Sequence, residues 1–364
     1  MKKILHIFSS FELGGAQARF LKLVASHGNQ FEHIVFAADG CYDAKNKNPH
    51  LPIQTLHEYS VAKGFLSSNY GVAKQMIRAV QPHLVVSYNW GAVEWVVYSA
   101  LLGLHHIHVE DGFGAAEVHK RKLRRSMFRA LIFRLCNAKL VVISETLESI
   151  ARDEWYVQSG KLVYVPNGVT VNSNPTAPTH TDLATGRTII GTVCGLRPEK
   201  RVDRLIDAVA ALAIEFPKLD LWIIGDGHER QNLETLVEER NLKTRIRFFG
   251  HLNEPNQLMS EFDLFCLTSD TEQAPLSLLE AMALGLPCIA TRVGDVPNII
   301  AVENRPFLCN LSVQSVANSI RAALLEPQNL LLVGAANKKK YLERYQFDQS
   351  SQQWMRIFLS QCKP

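Results

Sequence analysis

Short apolar runs alternate with amphipathic segments along most of the chain. Ile4–Phe8, Ala16–Ser26 and His33–Ala37 read as strand, helix and strand, and Leu84–Ser87, Ile107–Val109 and Leu140–Ile143 continue the strand series. Strands that are apolar at consecutive positions are covered on both faces, and their alternation with helices predicts a parallel sheet. A turn-rich stretch follows, from Pro166-Asn167-Gly168 through Asn172-Ser173-Asn174-Pro175 to Thr185-Gly186, and reads as a linker. The pattern then restarts. Thr188–Val193, Leu219–Ile224, Ile246–Phe249, Leu264–Leu267 and Pro287–Ala290 read as strands; Val202–Phe216, Glu229–Glu239 and Leu276–Leu284 read as helices, the first stopped by Pro217. The prediction is an α/β chain of two doubly wound domains, residues 1–168 and 169–345, with the ligand site at the carboxyl ends of the strands in the cleft between them. Residues 346–364 hold the amphipathic segment Phe347–Leu359, with Trp354 and Phe358, expected to pack back on the first domain.

Composition agrees with that division. At about 150 residues per domain, 364 residues suggest two domains. Hydrophobic residues at 47% and charged residues at 20% supply two cores, which excludes a disordered chain, a collagen-like repeat and a small disulfide scaffold. The seven cysteines are scattered, with no pair at metal-ligand or redox spacing, and read as buried thiols of a reducing compartment. The apolar run at the N-terminus is broken by His6, Ser9, Ser10 and Glu12, too early for a signal peptide, and no run approaches the ~20 residues of a membrane span. A cytoplasmic protein is expected. The net charge of +4 is too mild to argue for a nucleic-acid partner.

The richest chemistry lies in Thr268–Pro287. A strand ends at Leu267, a polar loop carries Glu272, and a helix opens near Ser277 with Glu280 in its first turn. Free backbone N–H groups and the positive end of a helix suit a diphosphate, and a carboxylate accepts two hydroxyl hydrogen bonds at once. Paired Glu residues beside an anion site therefore suit a nucleotide sugar. The alternative is that Ser277-x-x-Glu280 is a capping box and Glu280 only a helix-start device.

Glu272 and Glu280, separated by seven residues and followed by Ala281-Met282-Ala283-x-Gly285-x-Pro287-x-Ile289-Ala290-Thr291, resemble the signature of family 4 glycosyltransferases. Further pieces arrive in that family's order: Gly14-Gly15-Ala16-Gln17, Pro166-Asn167-Gly168-Val169, Arg197-Pro198-Glu199-Lys200, Ile224-Gly225-Asp226-Gly227 and Phe248-Phe249-Gly250. The resemblance implies the GT-B fold of two Rossmann-like domains. It implies retaining, metal-independent transfer of a hexosyl or N-acetylhexosaminyl group from a nucleotide-diphosphate sugar such as a UDP-sugar, with no cofactor. The acceptor domain would come first and the donor domain second. The resemblance places Gly14, Gly15, Arg197, Lys200, Gly250, Gln273, Ala274, Pro275, Leu276 and Glu280 at the donor. Lys200 would meet the diphosphate, Glu280 the ribose and Glu272 the transferred sugar.

The chain departs from the family at three places. The usual Arg falls on Gly195, and Arg197 stands two residues on. Gln273-Ala274 replaces the Gly-Phe often found after the first Glu. The His usually facing the reaction centre falls on Asp111, which would stabilise an oxocarbenium ion; His108 is the second candidate, and a packed histidine is the plain alternative for it. Two other classes stay open: a nucleotide-sugar epimerase of the same fold, and a non-catalytic transferase-like subunit. No Gly-x-Gly-x-x-Gly follows the first strand, which disfavours a nicotinamide dehydrogenase.

The mild total charge hides an asymmetry. Val118–Ala138 has seven Lys or Arg and no Asp or Glu: Lys120, Arg121, Lys122, Arg124, Arg125, Arg129 and Arg134, interleaved with apolar residues. A basic amphipathic helix there would place Arg124 and Arg125 beside a lipid-linked or saccharide acceptor, or on anionic lipid at the inner face of the membrane. The alternative is a solvated outer helix. The combined expectation is a peripheral enzyme of surface polysaccharide or lipopolysaccharide synthesis.

Overall fold

The computed structural model describes residues 1–62, 66–113, 122–171 and 187–362. The chain divides into two compact units, Met1–Asn167 with Ser350–Pro364, and Gly168–Gln349.

The sheet of the first unit contains β1 (Lys2–Phe8), β2 (Phe31–Ala37), β3 (Ile53–Thr55), β4 (Leu84–Tyr88), β5 (His106–Glu110), β6 (Ala138–Val142) and β7 (Leu162–Tyr164), in the order β3-β2-β1-β4-β5-β6-β7. Every neighbouring pair is parallel; Ile4, for instance, lies between His33 of β2 and Leu84 of β4. The strand order reverses between β1 and β4, so the crevice of this sheet opens at their carboxyl ends. Ile4, Leu5, Ile7, Val85, Val86, Leu140 and Val141 are fully buried, as the continuous apolar runs require.

Buried polar residues also occupy these strands and pair with one another. His6 contacts the Tyr88 hydroxyl through Nδ1 at 3.1 Å and His33 Nδ1 through Nε2 at 3.0 Å. Ser87 Oγ meets His106 Nε2 at 2.8 Å and His108 Nδ1 at 2.7 Å. Helix Phe347–Gln361 contributes its part from Ser350 onward to this unit. Phe358 packs against Phe31 and His6, and the Arg19 guanidinium lies over the Trp354 ring at 5.4 Å.

The second unit has β8 (Thr188–Val193), β9 (Leu219–Ile224), β10 (Ile246–Gly250), β11 (Leu264–Leu267), β12 (Cys288–Thr291) and β13 (Leu308–Cys309), again all parallel, in the order β10-β9-β8-β11-β12-β13. Its switch point lies between β8 and β11. Helix Leu276–Leu284 is largely buried and ends on Gly285, whose φ of +79° suits the left-handed cap.

Three differences from the sequence pattern have physical causes. Strands β3, β7 and β13 have no counterpart in the reading; each is a sheet edge of two or three residues, too short to register as a periodicity. The first helix of the second unit ends at Leu212, not Phe216. Arg245 donates to the carbonyls of Ala213 and Phe216, at 2.9 and 3.4 Å, and so takes up acceptors that a longer helix would leave unpaired at its end. The linker reading falls largely on residues 172–186, outside the described residues. All seven cysteines are free. Among the described residues no helix is long and apolar enough to cross a membrane.

Candidate active site

Strands β8 and β11 are neighbours, so the loops leaving their carboxyl ends emerge side by side. The first carries Lys200, at the end of the short turn Pro198–Lys200. The second carries Glu272. Lys200 Nζ donates to Glu272 Oε1 at 2.5 Å, and Ser269 Oγ donates to the same oxygen at 2.7 Å. The side chains are 16% and 9% exposed, enough for a ligand to reach them and little enough to strengthen their attraction.

A second layer of charge ties the two loops together. Arg204, 3% exposed, donates to the Thr268 carbonyl at 2.7 Å and to Asp270 at 2.6 Å. Arg201 bonds Asp203 at 2.9 Å and Asp270 at 3.2 Å, and Asp270 N–H donates to the Glu199 carbonyl at 2.8 Å. Burial alone would raise the Asp270 carboxyl; Arg204 and Arg201 outweigh it and hold it below its ordinary value. Arg201 itself has φ +51°, a left-handed conformation that its side-chain bonds help to hold.

Glycine permits the remaining close approaches. A Cβ on Gly294 (φ +49°) would lie 1.6 Å from the Glu272 carbonyl oxygen, and Asp295 N–H donates to the Gln273 carbonyl at 3.2 Å. The Gly294 turn is thus pressed onto the backbone of the Glu272 loop. Gly225 (φ +134°) does the same at β9, where a Cβ would sit 1.8 Å from the Cys194 carbonyl oxygen; its N–H donates to the carbonyl of Gly250 at 2.8 Å.

The helix carrying Glu280 corrects the capping alternative. It begins at Leu276, its N-cap is Pro275, and no side chain caps it. Ser277 is therefore the second residue of the helix and Glu280 the fifth, beyond the first turn, so the pair is not a capping box. Glu280 is half-buried, as are Gln273, Ala274 and Leu276, while Pro275 is buried. Arg197 is 55% exposed and pairs with Glu199 at 3.1 Å. Its Nε lies 3.7 Å from where a Gly195 Cβ would be, so it covers Gly195 from the outside.

In the first unit, Gly14 is the N-cap of helix Gly15–His27, directly after β1, and open space surrounds the Cα of Gly15 where a side chain would start. Asp111 follows β5. Its N–H donates to Asn89 Oδ1 at 2.7 Å, and its Oδ1 is paired with Arg19, which also donates to Asn167 at 3.1 Å. Asp111 Oδ2 has no hydrogen-bond partner among the described residues. One carboxylate oxygen is anchored and the other is unclaimed.

His108 corrects the second catalytic candidate. It is fully buried, bonded to Ser87, with Nε2 3.5 Å from Glu110. Strand β5 turns it into the packed layer behind the sheet, where no reactant reaches it. The same layer holds a buried pair that sequence reasoning missed: Arg129 bonds both Glu110 oxygens, at 3.0 and 2.9 Å, and its guanidinium lies 4.8 and 4.7 Å from the Trp90 and Trp155 rings. Burial alone would raise the Glu110 carboxyl; Arg129 and His108 together hold it below its ordinary value. The basic stretch therefore does not act as one surface. Arg129 is committed inward, Lys120 and Arg121 lie outside the described residues, and Lys122, Arg124 and Arg134 are exposed around helix Leu123–Leu135.

Arg124 and Arg125 also line a cavity of about 670 Å³. Its other walls are Ser9 after β1, Asp39 after β2, and Trp90, Gly91 and Glu94 after β4, so it lies at the carboxyl ends of the strands flanking the switch point.

The chain is similar to known proteins in sequence and in fold. Residues 175–344 match the family model of glycosyl transferases group 1. The chain is 29% identical over 167 residues to N-acetyl-alpha-D-glucosaminyl L-malate synthase of Bacillus anthracis, covering 46% of this chain and 44% of that protein. It is 29% identical over 228 residues to the UDP-Gal:alpha-D-GlcNAc-diphosphoundecaprenol alpha-1,3-galactosyltransferase of Escherichia coli, covering 59% and 58%. The matches thus span less than two thirds of these relatives. In structure, the chain is similar to Anabaena Alr3699/HepE in complex with UDP and glucose, with a TM-score of 0.78, 18% identity and coverage of 99% of this chain and 100% of that one. The group 1 match lies on the unit that holds Lys200, Glu272 and Glu280, and the two parallel-sheet, Rossmann-like units have the GT-B fold.

Proposed function

We propose that this glycosyltransferase is a retaining, family 4 type enzyme that moves a hexosyl or N-acetylhexosaminyl group from a UDP-sugar to a saccharide or lipid-linked acceptor. The cytoplasmic face of the membrane, in surface polysaccharide assembly, is the setting we infer. The observation that carries the reading is the Lys200–Glu272 pair, held at the carboxyl ends of β8 and β11 beside the start of the Glu280 helix. These two charges satisfy each other. An incoming diphosphate offers Lys200 a stronger anion, and Glu272, released, accepts hydrogen bonds from the sugar's hydroxyls. Glu280 takes the ribose. Lys200 and the N–H groups at Leu276 supply the positive charge that stabilises the leaving diphosphate, so the reading calls for no metal.

The C1–O bond to the diphosphate breaks and its electron pair leaves with the phosphate. The acceptor oxygen bonds C1 on the same face, and its proton passes to the departing phosphate oxygen. The free oxygen of Asp111 lends negative charge to the oxocarbenium ion. One relative is named for galactosyl transfer to alpha-D-GlcNAc-diphosphoundecaprenol and another, LpsE of Rhizobium meliloti, for lipopolysaccharide core biosynthesis, and they favour that setting. Isothermal titration of UDP against Glu280→Ala is the test: affinity is expected to fall at least about tenfold, the worth of one charged hydrogen bond. Unchanged affinity would overturn the placement of the donor.

A further inference from the structure

Asn89, the residue after β4, holds a backbone conformation that its side chain disfavours. Its φ of +59° with ψ of 178° lies in a region that glycine alone enters without steric cost. Three hydrogen bonds keep it there. Its N–H donates to the Val109 carbonyl at 2.8 Å, and its own carbonyl accepts from Ala92 N–H at 3.1 Å, which opens the turn Trp90–Ala92. Its side-chain Oδ1 accepts from Asp111 N–H at 2.7 Å. The turn is also seated tightly, since a Cβ on Gly91 would lie 2.0 Å from Ser9 Oγ, just after β1.

The first two bonds use the backbone, so glycine would make them equally well and without the strain. Only the third needs a side chain, and it ends on Asp111. Asn89 and Asp111 are both half-buried. A hydrogen bond between such groups, which water can replace, adds little stability. Stability therefore does not account for a strained asparagine at this turn, whereas the orientation of Asp111 does. Asp111 is gripped twice. Asn89 fixes its backbone, and Arg19 pairs with its Oδ1 while also bonding Asn167 and lying over the Trp354 ring. Oδ2 has no hydrogen-bond partner among the described residues.

We propose that Asn89 is a positioning residue for the transfer reaction: its side chain fixes the start of the loop after β5, so that Asp111 Oδ2 is presented in a single orientation. Asn89 itself touches no reactant. The assignment rests on the transferase reading and on the part Asp111 plays in it. Three variants test it. Asn89→Ala removes the amide and keeps the Cβ, Asn89→Gly removes both, and Asn89→Asp keeps an acceptor oxygen. At an ordinary position glycine is less stable than alanine, because it loses more chain entropy on folding. Here the order should invert, with Asn89→Gly melting roughly 2–4 °C above Asn89→Ala. Turnover should follow the amide instead. The assay is UDP release from UDP-glucose, UDP-galactose, UDP-N-acetylglucosamine and UDP-N-acetylgalactosamine, with detergent-extracted membranes of the organism that encodes the chain as acceptor. In Asn89→Gly and Asn89→Ala alike kcat should fall by about ten- to hundredfold, the scale of a misplaced catalytic group, while KM and UDP affinity hold. Asn89→Asp should restore kcat. An Asn89→Ala variant that melts with or above Asn89→Gly overturns the strain. Wild-type kcat in Asn89→Gly, or a kcat that recovers from alanine to glycine in step with the melting temperature, overturns the positioning role. An Asn89→Asp variant as slow as Asn89→Ala overturns the part given to the acceptor oxygen. In each of these failures the wild type still binds UDP and turns over a donor. A wild type that binds UDP and releases none from the four sugars overturns the transferase reading instead, and this assignment with it.

Discussion

Arg129 and Glu110 are 1% and 0% exposed, yet they face each other as an ion pair. Such a pair is tolerable only because it is complete: two hydrogen bonds between them, His108 on the carboxylate, and aromatic rings on the guanidinium. Removing one partner strands the other. Arg129→Met should therefore destabilise the protein by about 3–5 kcal/mol, measured by urea unfolding, whereas Arg129→Met/Glu110→Gln should recover part of that loss. A single-variant loss under ~1 kcal/mol would show that the pair is solvated. Nothing in the local sequence separates Arg129 from its neighbours. Arg124, Arg125, Arg129 and Arg134 have the same chemistry, and only the direction each Cβ takes from the helix decides which one meets Glu110.

Among the elements, strands with both faces covered were the most legible. Thr188–Val193, Leu219–Ile224 and Leu264–Leu267 run as the pattern reads, because burial on both sides favours a mostly apolar run. Loops that build the site were legible only as motifs. The positions of Lys200 and Glu272 follow from their strands, but their meeting depends on bonds from Arg204 to the Thr268–Asp270 segment and on the glycine turn at Gly294, contacts between segments distant in sequence. That dependence is measurable at Gly294. Alanine there puts a Cβ against backbone that cannot swing aside, in a left-handed conformation. Gly294→Ala should lower the melting temperature and weaken UDP binding although Gly294 reaches no ligand through a side chain. Wild-type UDP affinity in this variant would show that the Glu272 loop is not held by the turn.

On the scale of the whole molecule, acid should act first on the first unit. Burial pushes His33 down to about 4 from 6.5, and burial, with the neighbouring His33 second, holds His6 well below its ordinary value. Both are neutral in the folded chain, while unfolded histidines protonate near 6.5. Between pH 6.5 and about 4 the unfolded state binds more protons, so stability is full above that window and falls as pH falls through it. Thermal melting from pH 7.5 to 5 should show this slope, and His33→Gln should flatten it; an identical slope in the variant would place the acid sensitivity elsewhere. The sequence by itself determined the two α/β repeats, the succession of the long strands along the chain and the transferase motifs, because those depend on periodicity and on residues close along the chain. Tertiary structure alone decided that Glu280 is no cap, that His108 is walled in, that Arg129 is buried and Arg124 is not, and that Lys200 closes on Glu272. Each of these is set by which strands become neighbours and which face of a helix meets the sheet, and those are distances through space that a one-dimensional pattern does not contain.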